Sequence, residues 1–181
     1  MRLMFIADIH GSLYYTRRAL EIFEEENARY LLLLGDILYH GPRNPLPRDY
    51  NPEEVARALN RCAEKIIAVR GNCDSEVDEM VLDFPLATVF STVLLEGRRL
   101  FMTHGHIYDE DHRPPLNRGD VLLCGHTHTP ALGKKDEVFM ANPGSLSLPP
   151  EGYPRAYGVL DTDFIRIKDL KGQVWKETSL R

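Results

Sequence analysis

Leu3 to Ala7 is an unbroken apolar run that stops at Asp8, and the same figure recurs along the chain. Tyr30 to Leu34 runs into Gly35-Asp36, and Lys65 to Val69 leads to Gly71-Asn72-Cys73-Asp74. Arg98 to Thr103 runs into His104-Gly105-His106, and Val121 to Cys124 into Gly125-His126-Thr127-His128. Short apolar runs bounded by glycine and polar residues read as strands covered on both faces. Between the first two, Ser12 offers an N-cap, and Leu13, Ala19, Leu20, Ile22 and Phe23 make a stripe at helical spacing. That helix ends in Glu24-Glu25-Glu26, which reads as a solvated terminus. Pro42, Pro45 and Pro47 exclude regular structure between His40 and Asn51. Pro52 opens a second helix reaching about Ala63, and a short helix is expected after Asp74.

Beyond Phe84-Pro85 the periodicity changes. Thr88 to Leu95 and Arg98 to Thr103 predict a hairpin about Glu96-Gly97. Val138 to Ala141, Tyr157 to Leu160 and Phe164 to Leu170 add strands with little helix between them. The first half therefore alternates β and α, and the second half is mostly β. The expectation is an α/β protein, one domain over residues 1–181, with two packed mixed β-sheets flanked by helices. This is a four-layer α/β/β/α sandwich.

Composition narrows the function classes. The 181 residues are 43% hydrophobic and carry a net charge of -5, enough for one buried core and without the basic face of a nucleic-acid binder. Arg98-Arg99, a basic pair, belongs to the hairpin turn. No apolar run approaches the roughly 20 residues needed to cross a bilayer. Cys62, Cys73 and Cys124 are odd in number and lack metal-knuckle spacing, which argues against a disulfide framework. A cytoplasmic protein is expected.

The chemistry lies at the strand ends. Seven histidines placed at random give well under one His-x-His pair, whereas this chain has two. Asp8 and His10 are two residues apart, so on an extended strand end both point to one side. Carboxylate and imidazole together suit Mn, Fe, Co, Ni or Zn. Asp36 has two oxygens and can bridge two ions, and Asn72 adds a neutral carbonyl oxygen. His104, His126 and His128 complete the set, while Gly11, Gly35, Gly71, Gly105 and Gly125 allow sharp turns and close approach. The set reads as a two-metal hydrolase. His106 touches substrate or supports a ligand ring, His112 is a surface residue, and Asn142-Pro143-Gly144-Ser145 is a tight structural turn.

These motifs resemble the calcineurin-like metallophosphoesterases, in which D-x-H, G-D, G-N-x-D, H-G-H and G-H-x-H follow one another. Gly71-Asn72-Cys73-Asp74 and Asn142 to Ser145 look most like the small bacterial and archaeal phosphodiesterases. The resemblance covers residues 2 to about 147. It implies two divalent ions per chain, manganese first, with iron, zinc, nickel, cobalt or magnesium as alternatives. One would be held by Asp8, His10, Asp36 and His128, the other by Asp36, Asn72, His104 and His126. It implies hydrolysis of small phosphodiesters by a metal-bridging hydroxide with no covalent intermediate.

The departure is Cys73, where many relatives have a histidine that the following aspartate positions to protonate the leaving group. A thiol is a weaker acid. Asn72, Cys73 and Asp74 are thus carried as catalytic candidates, with His106 or water as the substitute donor. Arg43 is the candidate for a phosphate oxygen, and His40 lies near it in the proline-rich loop. Alternatives are a phosphomonoesterase or protein phosphatase, a non-catalytic scaffold like the retromer subunit of similar fold, and a DNA nuclease, which the acidic charge disfavours. Exposed strands of the second half could pair two copies into a homo-oligomer.

Overall fold

The computed structural model describes residues 1–181. β1 (Leu3–Ile6), α1 (Leu13–Glu25), β2 (Tyr30–Leu33), α2 (Pro52–Asn60) and β3 (Ile66–Ala68) form the alternating half. After them come β4 (Phe90–Leu95), β5 (Arg98–Thr103), β6 (Val121–Leu123), β7 (Ala131–Lys135) and β8 (Val138–Asn142). β9 (Ala156–Leu160), β10 (Phe164–Asp169) and β11 (Val174–Ser179) complete the chain. One sheet runs β11-β10-β9-β1-β2-β3 and the other β4-β5-β6-β8-β7. Both are mixed: β1, β2 and β3 are parallel to one another, as are β5, β6 and β8.

The first sheet lies between two cores. On one face Met4, Ile6, Leu31 and Leu33 pack against Ala19, Ile22 and Phe23 of α1 and Val55 and Leu59 of α2. On the other, Leu3, Phe5 and Leu32 meet Leu100, Met102, Val121 and Leu123 of the second sheet. Alternate residues of one strand therefore feed two different cores, which is why β1 and β2 read as continuous apolar runs. Ser12 and Asn51 cap the two helices through Tyr15 N and Glu54 N, and Pro52 sits in the first turn of α2. Both long helices cover the first sheet, while on the outer face of the second Tyr108 packs edge-on against Phe90 and Phe101.

Three local expectations change. β7 and β11 are additional strands, both at sheet edges, and their Lys134, Lys135, Lys176 and Glu177 hide them from an apolar-run reading. The segment after Asp74 forms only a 3-10 turn at Asp78–Met80. Glu26 is not solvated like Glu24 and Glu25: its Oε1 accepts from the buried Tyr157 hydroxyl at 2.8 Å and from Lys168 Nζ at 2.6 Å. A carboxylate at a helix C-terminus is unfavourable alone, and these partners offset it.

Candidate metal centre

The five motifs follow β1, β2, β3, β5 and β6, so they gather at the carboxyl ends of the parallel strands of both sheets. Open α/β sheets characteristically bind ligands at that end. The side chains converge by a route other than pleat alternation. Asp8, His10, Asp36, His126 and His128 all have left-handed backbone, with φ of 55°, 51°, 55°, 68° and 59°. Such conformations cost on the order of 1 kcal/mol apiece or more and collect at functional sites. The loops after β2 and β3 touch directly: a Cβ at Gly71 would lie 2.2 Å from Asp36 Oδ1.

Asp8, His10, Asp36 and His104 are fully buried or nearly so. His10 Nε2 stands 3.1 Å from His128 Nε2, 3.7 Å from Asp8 Oδ1 and 3.8 Å from Asp36 Oδ2. His128 Nε2 is 3.3 Å from Asp8 Oδ1. On the other side, His104 Nε2 lies 3.0 Å from Asn72 Oδ1 and 3.4 Å from Asp36 Oδ1. The His126 ring is 5.0 Å from that of His104. Asp36 faces both halves, one oxygen to each.

Each of three rings spends its other nitrogen on a backbone carbonyl. His10 Nδ1 donates to Tyr39 O at 2.9 Å, His104 Nδ1 to Leu34 O at 2.7 Å, and His128 Nδ1 to Leu148 O at 2.8 Å. That arrangement fixes the tautomer of each neutral ring and turns its Nε2 toward the other ligand-type side chains. Asp8 Oδ1, wholly buried, has no hydrogen-bond donor. Acceptors facing acceptors in a buried site are repulsive unless a cation lies among them. The nitrogen and oxygen donor set suits borderline divalent metals.

Without a metal ion, a proton is the cation these rings can take up, and His104 and His128 are both shifted toward the protonated form. Burial opposes charge on His104, but the Asp36 hydrogen bond and the charges of Asp8 and Asp36 outweigh it and raise the ring to about 9. Burial, with Asp36 close by, pushes the Cys73 thiol up to about 12. Burial also lowers His106, helped by the neighbouring His104 and His126.

Asp74 lines the cleft but is oriented otherwise than expected, and His40 is not among the lining residues. The Asp74 carboxylate accepts from Asp36 N at 2.8 Å, Ile37 N at 2.7 Å and Gly71 N at 2.8 Å. Filled in this way, it ties the Asp36 loop to the Gly71 loop and does not orient residue 73. The His40 ring packs edge-on between Tyr39 and Tyr50. It is absent from the walls of the metal cleft, of about 1020 Å³, which Gly41, Pro42, Arg43 and Asn44 do line together with Asn72 and Cys73. His106 lies with its ring 5.4 Å from His104, its Nδ1 buried and unpaired. His112 is exposed.

Sequence reasoning passed over the supports. Asn142 Nδ2 donates to Gly125 O at 2.7 Å, while Ser145 and Ser147 hydroxyls donate to Asp8 O at 2.8 and 3.2 Å. The Asn142–Ser145 turn packs as a structural turn, and it holds the Asp8 and Gly125 loops against each other. The carbonyls that set the tautomers carry no side-chain signal at all.

Residues 1–164 match the calcineurin-like phosphoesterase superfamily domain. The chain is 53% identical to phosphodiesterase YfcE of Escherichia coli K12 over 173 residues, covering 96% of this chain and 94% of that protein. It is 28% identical to phosphodiesterase MJ0936 of Methanocaldococcus jannaschii, over 90% of this chain and 94% of the relative. The solved structure of YfcE from E. coli superposes with a TM-score of 0.98 at 49% identity over 100% of both chains. A Vps29 from Entamoeba histolytica complexed with zinc shares the fold alone, with a TM-score of 0.66 at 18% identity over 100% of both chains. By its domain match and its similarity along nearly the whole chain, this protein belongs to the calcineurin-like phosphoesterase superfamily and is a hydrolase of that class.

Proposed function

We propose that the chain is a phosphodiesterase for small diesters that works with two divalent ions, manganese first. Asp8, His10, Asp36 and His128 would hold one ion, and Asp36, Asn72, His104 and His126 the other. The observation that carries this reading is the 3.1 Å approach of the His10 and His128 Nε2 atoms beside the donorless Asp8 Oδ1. Ions bound there supply Lewis acidity that activates water and neutralises phosphoryl oxygens.

The rest falls to the chain's own residues. Arg43, exposed on the cleft wall, offers a planar fork to a non-bridging phosphate oxygen. Cys73 stays a protonated thiol, and with Asp74 committed to three backbone amides nothing aims that thiol at a leaving oxygen. His106, largely neutral at pH 7, is a weak donor. The site therefore favours leaving groups that need no protonation, such as aryl oxygens. A cytoplasmic setting belongs to the same reading, since all three cysteines are free thiols and no helix is long and apolar enough to cross a membrane.

The test is metal-stripped protein assayed on a bis(aryl) phosphate and its monoester, with Mn, Fe, Zn, Ni, Co and Mg added back singly. Diester turnover restored by Mn and abolished in Asp36→Asn is expected. Preferential monoester turnover would mean a phosphomonoesterase. Two ions bound without turnover of either ester would favour the scaffold.

A further inference from the structure

Outside the metal cleft, and joined to it through Ser12 and Ser147, lies a smaller pocket of about 390 Å³ that the proposed chemistry does not use. Its lining has four cationic side chains, Arg18, Arg48, Arg155 and Lys171, against one carboxylate, Asp169. Two of the cations are held in a specific way. The Arg48 guanidinium stacks 3.5 Å over the Tyr14 ring, and that of Arg155 lies 4.7 Å over Tyr15. The two tyrosine rings meet edge to face at 5.0 Å. Arg155 spends Nε on Ser147 O at 3.1 Å, leaving its two terminal nitrogens free, and Arg48 makes no side-chain hydrogen bond and no ion pair. Arg18, by contrast, is neutralised by Glu21 and Glu25. Stacked guanidinium groups lose little rotamer freedom on binding and present planar donors suited to phosphate or carboxylate.

The pocket is wired to the metal ligands. Ser12, two residues after His10, donates to Arg48 O at 2.6 Å. Ser147, whose carbonyl takes Arg155, donates its own hydroxyl to Asp8 O at 3.2 Å. Pro150 lines the metal cleft, and Pro154 lines the pocket. Tyr14 follows His10 by four residues, so their Cα atoms are at most roughly 14 Å apart. The pocket also sits at the start of α1, whose first turn holds no acidic residue.

We propose that Arg48 and Arg155, on their tyrosine platforms, bind a second anionic group of the diester substrate, a phosphate carried on an arm beyond the scissile diester. This rests on the phosphodiesterase reading and narrows its substrates to diesters with an additional phosphate.

The test uses the full chain loaded with zinc, which is diamagnetic, titrated with inorganic pyrophosphate and followed by the ring resonances of Tyr14 and Tyr15. Saturable shifts below about 10 mM are expected. Arg48→Gln with Arg155→Gln should weaken them at least about tenfold, while Arg17→Gln, on the same helix but outside the pocket, should not. In turnover, the double variant should raise KM about tenfold for a diester bearing a terminal phosphate. For an uncharged-arm diester the same double variant should change KM far less, and Arg17→Gln should change KM for neither diester. Absence of saturable shifts at the tyrosines, or equal weakening by Arg17→Gln, would overturn the proposal. So would saturable shifts accompanied by an unchanged KM, which would make the pocket a site for free phosphate alone. The binding arm needs no turnover, so it stands or falls apart from the diesterase reading.

Discussion

His10 and His128 point their Nε2 atoms at one another across 3.1 Å, and each has its Nδ1 tied to a backbone carbonyl. Neither ring can relieve the contact by switching tautomer without breaking its carbonyl bond, so relief comes from a cation, either a proton, which Asp8 favours on His128 against burial, or a metal ion. A divalent ion relieves it directly, so metal should act as a folding ligand as well as a catalytic one. At a hundredfold excess over its dissociation constant, a bound ion adds about 2.7 kcal/mol, which for a chain of this size is roughly 5–10 °C in melting temperature. Scanning calorimetry with chelator and with Mn or Zn would measure it. Identical melting in both would remove the argument from facing lone pairs.

His104 gives this a pH dependence. Its folded-state value of about 9 lies above the ordinary 6.5, so in metal-free protein its stabilisation is full below 6.5 and fades as pH rises through 9. A metal at Nε2 must displace that proton. Metal uptake near pH 7.5 should therefore release about one proton per chain, seen as a dependence of binding heat on buffer ionisation. Uptake without proton release would mean that the ring is already neutral.

Cys73→His tests the missing acid. A histidine there should raise turnover on poor leaving groups by about 10- to 100-fold and leave aryl diesters almost unchanged. Gly41 limits the gain, since a Cβ on it would lie only 3.1 Å from Cys73 Sγ, so the loop above residue 73 must yield to a larger side chain. Equal rates for both variants on alkyl diesters would show that proton donation does not limit this enzyme.

Asp74→Asn should act on structure first. It replaces an acceptor of three backbone hydrogen bonds by a group with one acceptor oxygen and one donor nitrogen. A cost of about 1–3 kcal/mol is expected, together with weaker metal uptake as the Asp36 and Gly71 loops come apart. Denaturant titration beside metal stoichiometry would check both. Full stability with lost turnover would return Asp74 to the chemistry.

Glu26 supplies an acid-side signature. Burial alone would raise its carboxyl, but Lys168 and Tyr157 outweigh burial and hold it below the ordinary 4.5. Its contribution is therefore full above about 4.5 and lost as pH falls below that. Glu26→Gln should flatten the acid limb of the stability profile while lowering stability at pH 7. An unchanged acid limb would assign it to other carboxylates.

The metal motifs were legible because each interrupts an apolar run with a carboxylate, an amide or an imidazole, groups that a strand end does not need for folding. β7 and β11 were not, because an edge strand facing water needs no apolar alternation: Ala131 to Lys135 is nearly all exposed and holds two lysines and a glycine. The orientations of His40 and Asp74 were also hidden. Residue type fixes what a side chain can donate or accept, whereas its direction depends on partners distant in sequence, such as Tyr50 for His40 and Ile37 for Asp74. The two serines on Asp8 O were illegible for the same reason.

Five candidate metal-site residues in left-handed backbone have one more consequence. Asp and His tolerate that region better than most residues, yet glycine tolerates it best. Replacing His128 by glycine would thus relax the chain twice, once in its torsions and once in the 3.1 Å contact with His10. The inactive variant should outlast the parent on heating in the absence of metal. Drift in the sequence would tend to erode this centre while improving the fold around it, so the ligand set persists only as long as selection on catalysis holds it there.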